Sequence, residues 1–104
     1  MTTAIEKIRM ERARVRGLLL DAALKQVRKV CNDLELEFQV FGSYAESRHH
    51  GSSDLDIMIL SEPDADTKRL VISKIESISV EIGVPVDVLF RSEAPELYLE
   101  IKHD

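Results

Sequence analysis

A second cysteine and long apolar runs are the first things this 104-residue chain lacks. A lone cysteine, Cys31, excludes an internal disulfide and any cysteine-rich zinc module. No apolar run approaches the roughly 20 residues that span a bilayer, which excludes a transmembrane helix. The leading segment, MTTAIEKIRMERARVRG, mixes acids and bases where a secretory signal needs an unbroken apolar stretch. No internal repeat, low-complexity segment or linker is visible, and the length suits one domain over residues 1–104. The expectation is a single cytoplasmic domain with no membrane partner.

A positive balance is missing too. The net charge of −5 argues against a protein that coats nucleic acid by bulk electrostatics. The charge is nevertheless uneven. Residues 1–30 hold eight basic side chains against three acidic ones, net +5, while the rest hold six against sixteen, net −10. A basic leading helix on an acidic body suggests a polar contact surface, although charge runs on helices are most often solvated faces.

What is present reads as alternating helices and strands. Residues 4–32 form a helix whose stripe of Ile5, Ile8, Leu19, Ala23, Val27 and Val30 recurs at spacings of three and four. Gly17 marks a candidate kink or break in it. Leu36–Phe41 alternates as a strand, ended by Gly42 and Ser43, and Ser43–His49 suits a short helix with Ser43 as its cap. Leu55–Leu60 is an isoleucine-rich run that fits a buried strand. Asp66 or Thr67 can cap the next helix, which runs to about Ile82 with Leu70, Ile75, Ile78 and Ile82 inward and Gly83 at its end. Val84–Phe90 is a third, central strand, and Ser92 and Pro95 open a last helix through Leu97, Leu99 and Ile101. The order α-β-α-β-α-β-α describes an α/β (α+β) domain, a small sheet of three or so strands with helices packed on it.

The stretch that carries chemistry is Gly42-Ser43, ten residues, then Asp54-Leu55-Asp56. Alternate side chains of a strand share a face, so Asp54 and Asp56 project together while Leu55 and Ile57 face the other way. Two adjacent carboxylates repel unless a cation lies between them. Mg²⁺ accepts few protein carboxylates and completes its shell with water and phosphate oxygens, which suits a metal-triphosphate site. Asp87 breaks the apolar run Val84–Phe90 and supplies a third carboxylate. If its strand lies beside Leu55–Leu60, the three acids can hold two Mg²⁺ ions about 3.5–4 Å apart. Gly42 and Ser43 then fit a phosphate cradle, with glycine admitting close backbone approach and serine adding a hydroxyl. At background frequencies this spacing arises by chance in about one chain per thousand of this length.

In these residues, and in element order over nearly the whole chain, the sequence resembles the nucleotidyltransferase superfamily of DNA polymerase beta, in particular its minimal MNT-type members. The resemblance implies a nucleotidyltransferase fold with a mixed sheet, an ATP-like substrate with two Mg²⁺, and transfer of a nucleoside monophosphate to a hydroxyl. It implies that Gly42 and Ser43 bind phosphate, that Asp54 and Asp56 bind metal, and that Asp87 completes the metal site and activates the acceptor. These proteins commonly continue G-S-x-A-R-G, whereas here Glu46 and Ser47 follow Ala45. Arg48 is then the candidate for the missing phosphate contact. The resemblance further implies a helical HEPN-type partner, as in toxin–antitoxin pairs whose antitoxin adenylylates the toxin, and no nucleic-acid track. Two alternatives stay open: a non-catalytic antitoxin that neutralises by binding, and transfer to a small molecule of aminoglycoside type. Among other residues, adjacent His49 and His50 are poorly spaced for a shared metal. Cys31 and Tyr98 read as packing residues, and Tyr44 as packing or surface.

Overall fold

The computed structural model describes residues 2–103. Its elements run α1 (Ala4–Asp33), β1 (Phe38–Phe41), α2 (Gly42–Ala45), β2 (Leu55–Ile59), α3 (Ala65–Ile82), β3 (Val86–Phe90), a 3-10 turn (Arg91–Glu93) and α4 (Pro95–His103). The expected order is reproduced. The three strands form one mixed sheet in the order β1-β2-β3, antiparallel between β1 and β2 and parallel between β2 and β3. A parallel neighbour demands a crossover, and α3 supplies it. Among the described residues no helix is long and apolar enough to cross a membrane.

Helix α1 is continuous through Gly17, so the break into two helices does not occur. Thr3 caps it reciprocally: the Glu6 N–H donates to Thr3 Oγ1 at 3.1 Å, and the Thr3 N–H donates to the Glu6 carboxylate at 3.3 Å. Its buried stripe is Leu20, Ala23, Val27 and Cys31, all at 0% exposure. Ala23 and Val27 lie where the periodicity puts them, and Leu19 and Val30 are half-buried beside the core. Ile5 and Ile8 are not inside at all. The reason is reach. Thirty helical residues extend about 45 Å, whereas a five-residue strand covers about 17 Å, so the first half of α1 overshoots the sheet.

Helix α3 begins two to three residues earlier than expected. Asp64, not Asp66 or Thr67, is the cap, and its carboxylate accepts the Thr67 N–H at 2.7 Å. That hydrogen bond holds the Asp64 carboxyl below its ordinary range. The buried face is Val71, Ile75 and Ile78, while Leu70 is 44% exposed and Ile82 half-buried. Gly83 ends the helix at φ +87°, a left-handed turn that favours glycine. In α4, which Pro95 opens, Ile101 is buried and Leu97 half-buried, but Leu99 faces solvent.

The sheet divides the molecule. Leu55, Ile57 and Ile59 project from β2 into one cluster with Leu20, Ala23 and Val27 of α1 and with Val71, Ile75 and Ile78 of α3. Strand alternation sends Asp56 and Met58 to the opposite face.

Candidate functional site

Strand β1 ends at Phe41, which pairs with Asp56 of β2, and Asp56 in turn pairs with Asp87 of β3. One cross-strand row therefore runs from the Gly-Ser turn through the second aspartate to the third. Gly42 leaves the sheet at φ +81°, and a Cβ there would collide with the Asp56 carboxylate. Glycine is required twice over, for the backbone turn and for the close approach.

Ser43 lies inside the single-turn helix α2 rather than capping it, because the N-cap position belongs to Phe41. Its hydroxyl meets that of Ser53 at 3.2 Å, and the buried Ser53 hydroxyl also accepts the His50 N–H at 2.7 Å. The Arg48 N–H returns to the Ser43 carbonyl at 2.7 Å. These bonds fold the ten intervening residues back, so that Asp54, directly before β2, stands close to the Gly-Ser turn. The loop is also fastened to α1. Arg16 Nε donates to the Gly51 carbonyl at 3.0 Å, and the His49 ring lies so close to Gly17 that a Cβ would meet Nε2 at 2.7 Å.

The electrostatics are those of an uncompensated acidic site. The Asp56 carboxyl is pushed up to about 6, first by partial burial and then by the charges of Asp87 and Asp54. No ion pair among the described residues involves Asp54, Asp56 or Asp87. Nor do any three His, Cys, Asp or Glu side chains among the described residues close up far enough to hold a metal ion between them. Asp56 and Asp87 come within hydrogen-bond reach of one another across the strand pair, and Asp54 lies near enough to add its charge. An all-oxygen, unpaired donor set of this kind fits a hard divalent cation.

Two expectations need correction. Strand β3 lies at the edge of the sheet, not its centre, and Asp87 is exposed. Its place in an apolar run therefore does not signal a costly buried charge; its register opposite Asp56 is what brings it to the site. The short helix expected over Ser43–His49 stops at Ala45. Ser47 then takes φ +59°, a left-handed value at a position where a glycine would be unstrained. The Arg48 guanidinium is paired with the Glu46 carboxylate, both largely exposed.

Sequence reasoning missed Arg16, Gly17 and Ser53. Gly17 was visible as an oddity in a helix, but its reason is the His49 ring. Ser53 looked like ordinary loop polarity. The other side chains settle simply. Cys31 is fully buried, and loss of hydration pushes its thiol up to about 11. Tyr44 donates its hydroxyl to Asp21 and is pushed up to about 12, first by burial and then by that contact. Tyr98 is half-buried, with the Arg91 guanidinium 4.5 Å above its ring. Beside Gly42, the residues Gln39, Phe41, Glu46, Leu97 and Ile101 line a groove of about 350 Å³.

A family model described as a nucleotidyltransferase domain matches residues 24–103 and so takes in Gly42, Ser43, Asp54, Asp56 and Asp87. No curated protein and no solved structure matches the chain.

Proposed function

The chain belongs to the nucleotidyltransferase domain family, and from that premise we propose that it transfers AMP from ATP to a hydroxyl of a helical, HEPN-type partner protein, as the antitoxin of a toxin–antitoxin pair. The observation that carries the transfer chemistry is the row Phe41–Asp56–Asp87, with Gly42 turning directly over the Asp56 carboxylate.

Each residue has a task in that reading. Asp54, Asp56 and Asp87 would hold Mg²⁺, which when bound supplies the positive charge a triphosphate needs among three acids. The Gly42 backbone approaches the phosphates without a side chain in the way. Ser43 keeps a donor for a phosphate oxygen when Ser53 donates within their hydroxyl pair, a direction open to any two hydroxyls. The acceptor hydroxyl sits at Asp87, whose exposed edge position leaves room for a group on another protein. As the acceptor oxygen bonds to the α-phosphorus, the bond from that phosphorus to the bridging oxygen breaks and pyrophosphate leaves. The hydroxyl proton passes to the Asp87 carboxylate. The groove beside Gly42 offers space for the nucleoside.

Incubation with ATP labelled at the α-phosphate, Mg²⁺ and the purified partner tests the reading. Label should appear on the partner with wild type and not with Asp54→Asn or Asp56→Asn, both folded. Transfer undiminished in Asp54→Asn would contradict it. A second reading, neutralisation by binding alone, is favoured by one observation: Glu46 occupies the Arg48 guanidinium that a triphosphate would need. In that case the partner is inhibited without label, equally by wild type and both variants.

A further inference from the structure

Among the described residues, only the Gly51 loop touches the first half of α1, at its Arg12 end. From Ala4 to Val15 every residue except Ala13 is exposed, and the helix first reaches the interior at Gly17. This is an arm about 18 Å long. Ile5, Ile8, Val15 and Leu18 are 42–63% exposed, and their spacings of three and seven set them along one side of the helix. The stripe leads into a groove of about 260 Å³ where Arg12, Val15 and Leu19 meet Gly51, in the loop that precedes Asp54. The family match begins at residue 24, so the arm lies outside the matched region.

We propose that this arm docks an amphipathic helix with acidic flanks, supplied by another protein. Charge selects the occupant. Lys7, Arg9, Arg12, Arg14 and Arg16 outweigh Glu6 and Glu11 along the arm. Arg14 is paired with Glu11 at 2.7 Å, whereas Lys7, Arg9 and Arg12 enter no ion pair among the described residues. A second copy packed arm to arm would set basic flanks against basic flanks. A lipid surface would bury Glu11 and Arg12, which interrupt the stripe between Ile8 and Val15, and anionic headgroups would repel the acidic remainder of the chain. A facing acidic helix can pair Arg12, while Glu11 keeps Arg14 as its partner. The inference rests on the proposed function only in taking this partner to be the acceptor; docking itself involves no nucleotide.

The test is fluorescence anisotropy with the full chain and a labelled synthetic helix, leucines at three-and-four spacing flanked by glutamates. An isomer with lysines in place of the glutamates runs in parallel. The acidic helix should bind at least about tenfold more tightly than the basic one, and Ile8→Glu with Val15→Glu should weaken it by at least about tenfold. Both positions are exposed, so the melting temperature and Mg–ATP binding of the double variant should match wild type. Equal binding of the two helices, no binding of the acidic one, or binding that the double variant retains would overturn the proposal. A dimer by light scattering that the double variant dissolves would assign the arm to a second copy. Co-sedimentation with phosphatidylserine vesicles that the double variant loses would assign it to lipid. Failure of label transfer with peptide binding intact would count against the proposed function alone.

Discussion

At the Asp56 end of β2 the two faces of one five-residue strand carry opposite chemistry, although Met58, further along the Asp56 face, is fully buried. Leu55, Ile57 and Ile59 are sealed between the sheet and helices α1 and α3, and their exposure is nil. One residue away along the chain, Asp56 is raised first by its partial burial and then by the charges of Asp87 and Asp54 beside it. The first face gains free energy by leaving water; the second is held in repulsion by the structure that the first one stabilises. Strand alternation is what lets one short segment do both. The comparison teaches that stability and chemistry here are separable by substitution, residue by residue.

The largest effect should come from the apolar face. Ile57→Ala is expected to destabilise by about 2–5 kcal/mol, read as a lowered urea midpoint with an unchanged slope. Activity should be lost only to the extent that the protein unfolds. Gly42→Ala, at the junction of the faces, forces a side chain into φ +81° and against the Asp56 carboxylate. It should cost about 1–3 kcal/mol in the same measurement and also displace Asp56, so that Mg–ATP binding falls in the fraction that remains folded. Ser43→Ala should leave the urea midpoint near wild type. It should weaken triphosphate binding by about 1.5–3 kcal/mol in calorimetry, one hydrogen bond to a charged group.

The smallest effect has the opposite sign. Because Asp56 is raised to about 6 from the ordinary carboxyl value of 3.8, the native state holds its proton more tightly than the unfolded state. Its contribution is therefore full below about pH 4 and is lost as pH rises through about 6. Asp56→Asn should stabilise the metal-free protein at pH 7 by about 1–2 kcal/mol, a figure reduced for solvent screening of a partly exposed group. At pH 3.5 the two proteins should melt alike. A variant that is stabler and inactive would sharpen the contrast between the faces; one that is less stable would break it.

Much of this was legible in the sequence because periodicity and punctuation are local. The isoleucine run at β2, the glycine that ends α3 and the Gly-Ser turn after β1 each announce themselves within a few residues. The spacing from Gly42 to Asp56 likewise survives in one dimension, and so does the departure at Glu46 and Ser47. The rest depended on distances along the chain that no local pattern spans. Ile5 and Ile8 fit the stripe of α1, yet their burial depends on how far the sheet extends, and it stops short. Leu70 is exposed for a different, local reason: the buried arc of α3 runs through Val71, Ile75 and Ile78 and leaves Leu70 outside it. Asp87 reads as a buried charge only if its strand is central, and strand order is a tertiary fact. The clamp from Arg16 to Gly51 joins residues 35 apart. Ser53 gains its meaning only once Ser43 has been folded onto it.

The account stands on the acidic face of β2 as the seat of metal-dependent nucleotide binding. Isothermal titration of Mg–ATP into wild type and into Asp54→Asn,Asp56→Asn, each first shown to be folded by circular dichroism, addresses that directly. Wild type should give a saturable heat that vanishes when Mg²⁺ is chelated, and the double variant should give none. Equal heats from the two proteins would contradict the assignment.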